Sequence, residues 1–397
     1  MTIRPQRADC HDKLPSVARI VDRLLKIDLP PGRSAFLWGP RKVGKSWWLR
    51  SRFHERDVRT IDLLQTDVFA ELASRPALLR ERWDGRLTVI DEVQKVPALL
   101  DEVHGLMESR GASFVLTGSS ARKPRRGHAN LLAGRAWRFE MGPLSALEIE
   151  AFDLGRALRH GLLPPHYLSD EPERDLRGYV SDYLREEIAA EAAVRNIPAF
   201  ADFLRAAALT NAELLNYTNM AAECGVSAKV VRGYVEILED TLLGARLPPW
   251  RKTHKRRLLA TDKFYLFDVG VANHLARRVP LPGSADWGKS FEHYILMEIL
   301  NYRRYREPDL PVSYWRTAGG AEVDFVLGDM CTAVECKSSA RVHAGDLRGL
   351  RTMAEEQPVQ RRVVVCGERE PRRLDDGIEV LPWQIFLDRL WGGDLTR

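Results

Sequence analysis

The chain has 397 residues, 45% of them hydrophobic and 29% charged, a composition typical of globular proteins with enough apolar residues for more than one core. Its net charge of +5 suits a nucleic-acid partner without requiring one. The 5 cysteines have no CxxC spacing, which argues against a disulfide framework or a zinc site. Because we find neither an apolar leader nor a long apolar run, we expect a cytoplasmic protein without a membrane span.

The first third of the chain alternates short apolar runs with helical segments. Residues 34–38 predict a buried strand, a glycine-rich loop follows, and residues 47–53 predict a helix. The continuous apolar runs at 87–90 and 113–116 are typical of parallel strands that are buried on both faces. Residues 1–145 are therefore predicted to form one α/β domain.

The glycine-rich loop has the pattern GxxxxGK[ST] between a predicted strand and a predicted helix, which is the context of a P-loop that binds ATP or GTP. Its backbone N–H groups and the N-terminus of the next helix would surround the phosphates. We expect Lys45 to contact the β- and γ-phosphates and Ser46 to bind Mg²⁺. The predicted nucleotide-binding residues are Gly39, Pro40, Arg41, Lys42, Val43, Gly44, Lys45, Ser46 and Trp47.

Two further predicted strands end in polar residues. Asp91 and Glu92 follow the apolar run at 87–90, at the carboxyl edge of the sheet, where open α/β sheets bind ligands. We expect Asp91 to orient Mg²⁺ and Glu92 to polarise the attacking water. Ser119 and Ser120 end the next strand and could contact the γ-phosphate or the water, although Gly-Ser-Ser is also typical of a plain turn.

These segments resemble those of the prokaryotic AAA+-type ATPases that carry a C-terminal domain of unknown function. The resemblance lies in the loop, in Ile-Asp-Glu-Val-Gln-Lys-Val-Pro at 90–97, in Leu-Thr-Gly-Ser-Ser at 116–120, in Gly134-Arg135 and in Pro-Leu-Ser-Ala-Leu-Glu at 143–148. It implies an ATP site in which Glu92 is the catalytic base and Ser119 or Ser120 is a sensor.

The resemblance also implies a homo-oligomer, in which Arg135 is an arginine finger that acts across a subunit boundary. Other arginines compete for this role, namely Arg122, Arg125, Arg126 and Arg138. One departure from the family is Trp47-Trp48 directly after the loop, where smaller residues are usual. Filling of the hydrophobic core is the favoured explanation for this pair.

The middle of the chain is predicted to be helical over residues 146–215 and to form a winged helix over residues 216–277. Residues 219–227 indicate a short helix, a glycine turn and an N-cap at Ser227. Strand-like runs at 242–247 and 263–267 would form the wing. The apolar residues that recur at helical spacing and predict the second helix are Val230, Val231, Tyr234, Ile237 and Leu238.

We expect this module to contact DNA, with its second helix in a groove and its cationic wing on the phosphate backbone. Winged helices also serve as protein-binding modules, and a basic loop is often only solvated, so both alternatives stay open. The predicted DNA-binding residues are Lys229, Arg232, Arg251, Lys252, Lys255, Arg256 and Arg257.

Residues 285–397 are predicted to form a second α/β domain. Asp324 lies in a predicted strand, and Glu335 and Lys337 lie on one face of the next strand, because side chains alternate between faces. A hairpin would bring these side chains together, and Glu292 at the start of a helix could add a third carboxylate. Two carboxylates and a lysine on one surface can bind Mg²⁺ and activate water for phosphodiester cleavage.

This arrangement resembles the PD-(D/E)xK restriction-endonuclease-like fold. The predicted order is helix–strand–strand–strand–helix–strand, over residues 291–305, 312–317, 322–327, 332–337, 343–355 and 362–366. The domain could cut DNA, bind DNA without cutting it, or serve assembly alone.

The leading interpretation is a Mg²⁺-dependent ATPase, with ATP and Mg²⁺ as cofactors, that binds and remodels or processes DNA in repair, branched-DNA processing or defence. One alternative is an ATP-gated, Mg²⁺-dependent DNA endonuclease. The other is a STAND-like or chaperone-like ATP switch whose C-terminal modules bind protein.

Overall fold

The computed structural model describes residues 21–53, 58–119, 134–184, 196–251 and 261–397. Its first sheet has five parallel strands in the order β2-β3-β4-β1-β5, which confirms the predicted α/β fold with a parallel sheet. These strands are β1 (Ser34–Trp38), β2 (Val58–Asp62), β3 (Leu87–Asp91), β4 (Phe114–Gly118) and β5 (Ala136–Glu140).

Helices cover both faces of this sheet, as its apolar strands require. Phe36 and Trp38 of β1 pack into one core with Leu116, whereas Ala35 and Leu37 pack into another on the opposite face. Every residue of β1 is buried, because neighbouring strands and both helical layers enclose it. The helices of this domain are α1 (Lys45–Arg52), α2 (Thr66–Ser74), α3 (Leu78–Glu81) and α4 (Leu99–Arg110).

The middle of the chain is mainly helical. Its helices are α5 (Leu154–His160), α6 (Pro164–Tyr167), α7 (Pro172–Gly178), α8 (Ile197–Leu209), α9 (Tyr217–Glu223), α10 (Ala228–Asp240) and α11 (Val269–Ala276). A three-stranded sheet of β6 (Glu213–Leu214), β8 (Lys263–Leu266) and β7 (Gly244–Leu247) accompanies them. Residues from α8 and α10 share one hydrophobic core with β1 and α1, so this part packs directly on the first domain.

Helices α9 and α10 are joined by a glycine turn, and the β7–β8 pair follows them. Gly225 adopts the left-handed conformation, with φ of +63°, and the Ser227 side chain accepts a hydrogen bond from the Val230 backbone N–H at 3.4 Å. Of the five apolar residues that predict α10, Val230 is 39% exposed and the other four are buried. Val235 also lies in the core.

The C-terminal part contains a six-stranded mixed sheet in the order β13-β14-β12-β11-β10-β9. Its strands are β9 (Val312–Arg316), β10 (Glu322–Leu327), β11 (Thr332–Lys337), β12 (Arg361–Cys366), β13 (Arg372–Arg373) and β14 (Glu379–Pro382). Its helices are α12 (Ala285–Arg306), α13 (Arg348–Glu356) and α14 (Trp383–Trp391). Helix α12 begins before the predicted position because Ser284 caps it, accepting a hydrogen bond from the Trp287 backbone N–H at 3.1 Å.

A buried carboxylate on α12 holds the segment that leaves the first domain. Glu298 accepts hydrogen bonds from the Ser145 hydroxyl and from the Ala146 backbone N–H, each at 2.7 Å. Burial raises the pKa of Glu298 to about 7, although these two donors oppose the rise. The first domain and helix α12 are therefore joined by direct polar contacts.

Two further features concern membrane-spanning helices and cysteines. Within the five described ranges, no helix is long and apolar enough to cross a membrane. The cysteines that the structure describes, Cys224, Cys331, Cys336 and Cys366, are all free thiols.

Candidate functional site

The phosphate-binding loop leaves the carboxyl end of β1 and closes against neighbouring backbone. A Cβ atom on Gly39 would lie 2.5 Å from the Met141 carbonyl oxygen, so only glycine fits there. Gly44, at the start of α1, has φ of +97°, and Lys42 also adopts the left-handed conformation with φ of +62°. These turns curve the loop as a phosphate cradle requires.

Lys45 is held inside this curve. It is only 5% exposed, and its Nζ donates hydrogen bonds to the carbonyl oxygens of Gly39 at 2.7 Å and Pro40 at 3.1 Å. A buried ammonium needs acceptors, and phosphate oxygens are stronger acceptors than carbonyls because they carry charge. Lys45 therefore lies inside the curve of the loop, and its contact with phosphates stays a prediction.

The two residues that are predicted to hold Mg²⁺ lie in contact with each other. The Ser46 hydroxyl donates a hydrogen bond to Asp91 Oδ2 at 2.6 Å, and the Thr117 hydroxyl bonds to the other oxygen, Oδ1. Hydroxyl and carboxylate oxygens suit Mg²⁺, which completes its coordination with water and phosphate oxygens in such sites. The residues present therefore fit the ion that the motif implies.

Glu92 has a constrained position beside this pair. It is 5% exposed and has φ of +60°, a conformation that non-glycine residues rarely adopt and that is often found at functional sites. The Gln94 amide donates to Glu92 Oε2 and, at 3.0 Å, to Ser119 Oγ. Gln94 thus joins the candidate base to the candidate sensor, a role that the sequence did not indicate.

The candidate arginine finger lies away from the loop. Arg135 directly precedes β5, at the amino end of the sheet, whereas the loop lies at the carboxyl end of β1. Its guanidinium forms an exposed ion pair with Glu108 at 2.8 Å. Within one chain it cannot reach the phosphates, so its role across a subunit boundary stays a prediction. The alternative Arg138 pairs with Glu140 at 2.8 Å.

The tryptophans after the loop differ in burial. Trp48 is buried and contacts Phe53 edge-on, with ring centroids 6.2 Å apart, which agrees with the expected core filling. Trp47 is half-buried. The remaining finger candidates and the second sensor candidate, Arg122, Arg125, Arg126 and Ser120, lie outside the described residues.

Arg23 connects the loop to the rest of the molecule, and no motif indicates it. Its guanidinium is buried and donates to the Val43 carbonyl of the loop. It also donates to Glu148 at 3.0 Å, to the Gly142 carbonyl at 2.8 Å and to the Tyr305 hydroxyl at 3.0 Å. Tyr305 belongs to α12, so this one side chain contacts both the nucleotide loop and the C-terminal part.

A second group of polar residues lies in the C-terminal part. Strands β10 and β11 are antiparallel, and the Asp324 carboxylate accepts a hydrogen bond from the Cys336 backbone N–H at 2.8 Å. Lys337 Nζ contacts Glu335 Oε1 at 2.8 Å. Burial, followed by the charges of Asp324 and Glu292, raises the pKa of Glu335 to about 8. The four predicted residues thus lie around one site, which we call the carboxylate site.

Two residues of β8 complete the carboxylate site. Tyr265 donates its hydroxyl to Glu292 Oε1 at 2.7 Å, and Lys263 Nζ lies 3.5 Å from the same oxygen and 2.5 Å from Glu322 Oε1. Burial, followed by the charge of Asp324, raises the pKa of Glu292 to about 7. The sequence assigned Lys263 to a wing, and nothing in its spacing indicated a contact 29 or more residues away.

The carboxylates are not arranged as a ready metal site. Among the residues that the structure describes, no three His, Cys, Asp or Glu side chains are grouped so that they could hold a metal ion. Cleavage of DNA at this site therefore stays a prediction.

The structure describes only some of the predicted DNA-binding residues. Lys229 and Arg232 are exposed on α10, on the side opposite its buried residues, and the Arg232 guanidinium lies 5.1 Å from the Tyr217 ring. Arg251 is half-buried. Lys252, Lys255, Arg256 and Arg257 lie outside the described residues.

Comparisons with known proteins agree with the loop geometry. Residues 32–150 match the family model of the AAA domain. Residues 151–281 and 287–386 match two models described as domains of unknown function, DUF8612 and DUF4143. The first domain is therefore of the AAA-like P-loop ATPase kind.

Curated relatives of this chain include two proteins that are described as uncharacterized. An uncharacterized protein of Mycobacterium tuberculosis is 28% identical over 304 residues, which span 73% of this chain and 66% of the relative, slightly under two thirds of its length. An uncharacterized protein of Haemophilus influenzae is 23% identical over 314 residues, spanning 74% of this chain and 75% of that protein.

Two solved structures are similar in part. A Walker-type ATPase of Pyrococcus abyssi has 15% identity and a TM-score of 0.43, over 61% of this chain and 90% of that one. The Aeropyrum pernix ORC1 protein in complex with DNA has 14% identity and a TM-score of 0.25, over 62% and 86%. Both TM-scores are too low to establish a shared overall fold, so neither likeness says anything about function.

Gly118→Ala tests the placement of Gln94. A Cβ atom at position 118 would lie 2.1 Å from Gln94 Oε1 and 2.7 Å from the Trp38 ring, so Gln94 must move away from Glu92 and Ser119. We expect ATP turnover to fall by roughly tenfold or more, with nucleotide binding retained. The matched control is Gly105→Ala on α4, where a Cβ atom meets nothing within 4 Å. Turnover that is equal in both variants would contradict the role of Gln94.

Proposed function

We propose that this chain is a Mg²⁺-dependent ATPase that hydrolyses ATP and thereby binds and remodels or processes DNA. The observation that supports hydrolysis most directly is the pairing of a P-loop with two adjacent carboxylates, one of them, Asp91, bonded to Ser46. The other carboxylate, Glu92, lies beside Asp91 and is only 5% exposed. A binding loop alone would hold nucleotide without a group to polarise water.

Each residue of the site has a distinct task in this proposal. Lys45 and the loop N–H groups bind the phosphates, and Ser46 and Asp91 hold Mg²⁺, which neutralises phosphate charge when it is bound. Glu92 polarises the attacking water, and Gln94 holds both Glu92 and Ser119 in place.

The case for DNA rests on charge. Helix α10 buries one face and exposes Lys229 and Arg232 on the other, where the Arg232 guanidinium also contacts the Tyr217 ring. The connection between β7 and β8 carries a further basic run in the sequence, residues 251–257, and the chain as a whole has a net charge of +5. Exposed cations bind the phosphate backbone of a nucleic acid regardless of its base sequence.

We further propose that the protein acts as a homo-oligomer in the cytoplasm. Arg135 lies at the amino end of its own sheet, so it can stabilise a transferring phosphate only in a neighbouring subunit. A finger supplied in this way would make turnover depend on protein concentration.

Lys45→Ala and Glu92→Gln test the ATP site. We expect both to lower ATP turnover by about 100-fold or more, because the first removes a phosphate contact and the second removes the base. Glu92→Gln should still bind nucleotide, as measured by calorimetry. The controls are Lys95→Ala and Glu150→Gln, which change exposed side chains of the same types. Turnover that survives in both site variants would refute the assignment.

Lys229→Ala/Arg232→Ala tests the DNA surface. We expect weaker binding to duplex, forked or single-stranded DNA. We also expect the plot of log affinity against log salt concentration to become shallower, by up to about 0.9 in slope for each phosphate contact that is lost. The charge-matched control is Arg174→Ala/Arg348→Ala, which removes two exposed arginines elsewhere. If no DNA binds to the unaltered protein at low salt while ATP is hydrolysed, the DNA proposal fails and a protein-binding ATP switch is favoured.

A second candidate function is Mg²⁺-dependent cleavage of DNA, gated by the ATPase. The observation that favours it is the grouping of Glu292, Asp324, Glu335 and Lys337 around one site. Asp324→Ala and Lys337→Ala should each abolish cutting of supercoiled DNA, with Asp329→Ala, an exposed aspartate, as the control. Cutting that persists in both site variants would show that the nuclease lies elsewhere or is a contaminant.

A further inference from the structure

Glycine allows one peptide group of the phosphate loop to adopt two orientations. Val43 and Gly44 share this peptide group, and Gly44 has φ of +97°. Because glycine adopts positive and negative φ about equally well, turning the peptide over meets little resistance at Gly44. A contact from outside the loop must therefore select the orientation that the structure shows.

The orientation decides which atom of the peptide group faces a bound phosphate. The carbonyl and the N–H of a trans peptide point in opposite directions within one plane. An N–H that faces a phosphate stabilises its negative charge, whereas a carbonyl oxygen in the same place would repel it. The Val43–Gly44 peptide therefore contributes to a phosphate cradle in one orientation and opposes phosphate binding in the other.

Arg23 holds the carbonyl of this peptide from outside the loop. Its Nη1 donates a hydrogen bond to the Val43 carbonyl oxygen. The same nitrogen lies 3.8 Å from the place where a Cβ atom on Gly44 would be. Lys45, in contrast, lies inside the curve of the loop, where its Nζ donates to the Gly39 carbonyl at 2.7 Å. The Val43 carbonyl thus points toward Arg23, and the Gly44 N–H points away from it.

The other nitrogens of Arg23 are fixed by acceptors from two other parts of the chain. Nε donates to the Glu148 carboxylate at 3.0 Å, and Nη2 donates to the Gly142 carbonyl at 2.8 Å and to the Tyr305 hydroxyl at 3.0 Å. The Arg23 and Glu148 side chains are 3% and 0% exposed, so water does not compete for their contact. Because the guanidinium is planar and each of its nitrogens has an acceptor, the position of Nη1 is fixed as well.

We propose that Arg23 is a positioning residue of the phosphate site, which keeps the Gly44 N–H directed into the loop, and that Tyr305 of α12 holds Arg23 in place. Arg23 acts through the Val43–Gly44 peptide. The proposal rests on the proposed function in that the loop binds the phosphates of ATP. It adds that the affinity of the loop for phosphates depends on a helix of the C-terminal part.

The test uses the full chain labelled with carbonyl-¹³C valine and ¹⁵N glycine, so that nuclear magnetic resonance selects the amides of glycines that follow valine. The sequence has such a pair at 43–44 and at 269–270 and nowhere else. The Gly270 amide, in α11, is the internal reference. Inorganic triphosphate with Mg²⁺ is the probe, because it carries the phosphates of ATP without the base and the sugar.

In the unaltered protein we expect one Gly44 signal, which shifts when triphosphate is added. Arg23→Lys keeps a charge beside Glu148 but replaces the planar donor group with one ammonium, so the Val43 carbonyl is released. We expect the Gly44 signal to broaden or split and the affinity for triphosphate to fall by at least about tenfold, because a charge-assisted hydrogen bond is lost. The matched control is Arg52→Lys, an exposed arginine of α1.

Tyr305→Phe tests the part played by α12 and carries both readouts if Arg23→Lys does not fold. It removes one acceptor of Arg23, so we expect the Gly44 signal to change in the same way and the affinity for triphosphate to fall by about threefold. The control is Tyr302→Phe on the same helix, because its hydroxyl contacts Glu307 and Thr396 instead. A Tyr305→Phe variant that equals the unaltered protein would overturn the dependence on α12.

The two readouts must change together. A lower affinity with an unchanged Gly44 signal, or a changed signal with an unchanged affinity, would overturn the proposal, because the orientation of the peptide would then not govern phosphate binding. An Arg23→Lys variant that equals the unaltered protein in both readouts would overturn it while leaving the ATP site intact. If the unaltered protein binds no triphosphate, the ATP site and this proposal fail together.

Discussion

The structure depends on the hydrogen bonds that one buried guanidinium donates. Arg23 contacts the Val43 carbonyl of the phosphate loop, the Glu148 carboxylate and the Tyr305 hydroxyl. Arginine offers five N–H donors in a rigid plane, and each must find an acceptor when the group is buried. These acceptors come from the loop, from the segment after β5 and from α12, so none of the three can shift without leaving a charge uncompensated. The nucleotide loop is thereby fixed to the C-terminal part.

A second contact reinforces this connection. Glu298 of α12 accepts hydrogen bonds from the Ser145 hydroxyl and the Ala146 backbone N–H. These donors lie close in sequence to Glu148, which accepts a hydrogen bond from Arg23. The Gly142 backbone N–H also donates to the Tyr305 hydroxyl at 3.0 Å. Events at the phosphates therefore have a continuous path of hydrogen bonds to α12, the helix that also carries Glu292 of the carboxylate site. Such a path is a physical route for coupling, whose strength only variants can measure.

The sequence predicted the local features well because they depend on short segments. The phosphate loop, the buried strands β1, β3 and β4 and the N-cap Ser227 follow from periodicity and from residue types at fixed spacing. The antiparallel pairing of β10 and β11 was also predictable from the sequence, because the short spacing between Asp324 and Glu335 is typical of a hairpin.

The missed residues depend on long-range packing. Arg23 and Glu148 are 125 positions apart, and nothing near either residue indicates the other. The sequence assigned Lys263 to a strand of the wing, but the face that this residue occupies is set by where the C-terminal sheet packs. Helical spacing alone also does not show that Val230 of α10 is exposed and that Val235 is buried.

The most direct test of the account is the rate of ATP hydrolysis against duplex, forked and single-stranded DNA at one stated salt concentration, in the unaltered protein and in Tyr305→Phe. The account predicts that at least one DNA structure raises the rate several-fold and that Tyr305→Phe, which removes the hydroxyl shared by Arg23 and Gly142, loses most of that rise. A rate that no DNA structure changes would contradict the claim that this ATPase acts on DNA.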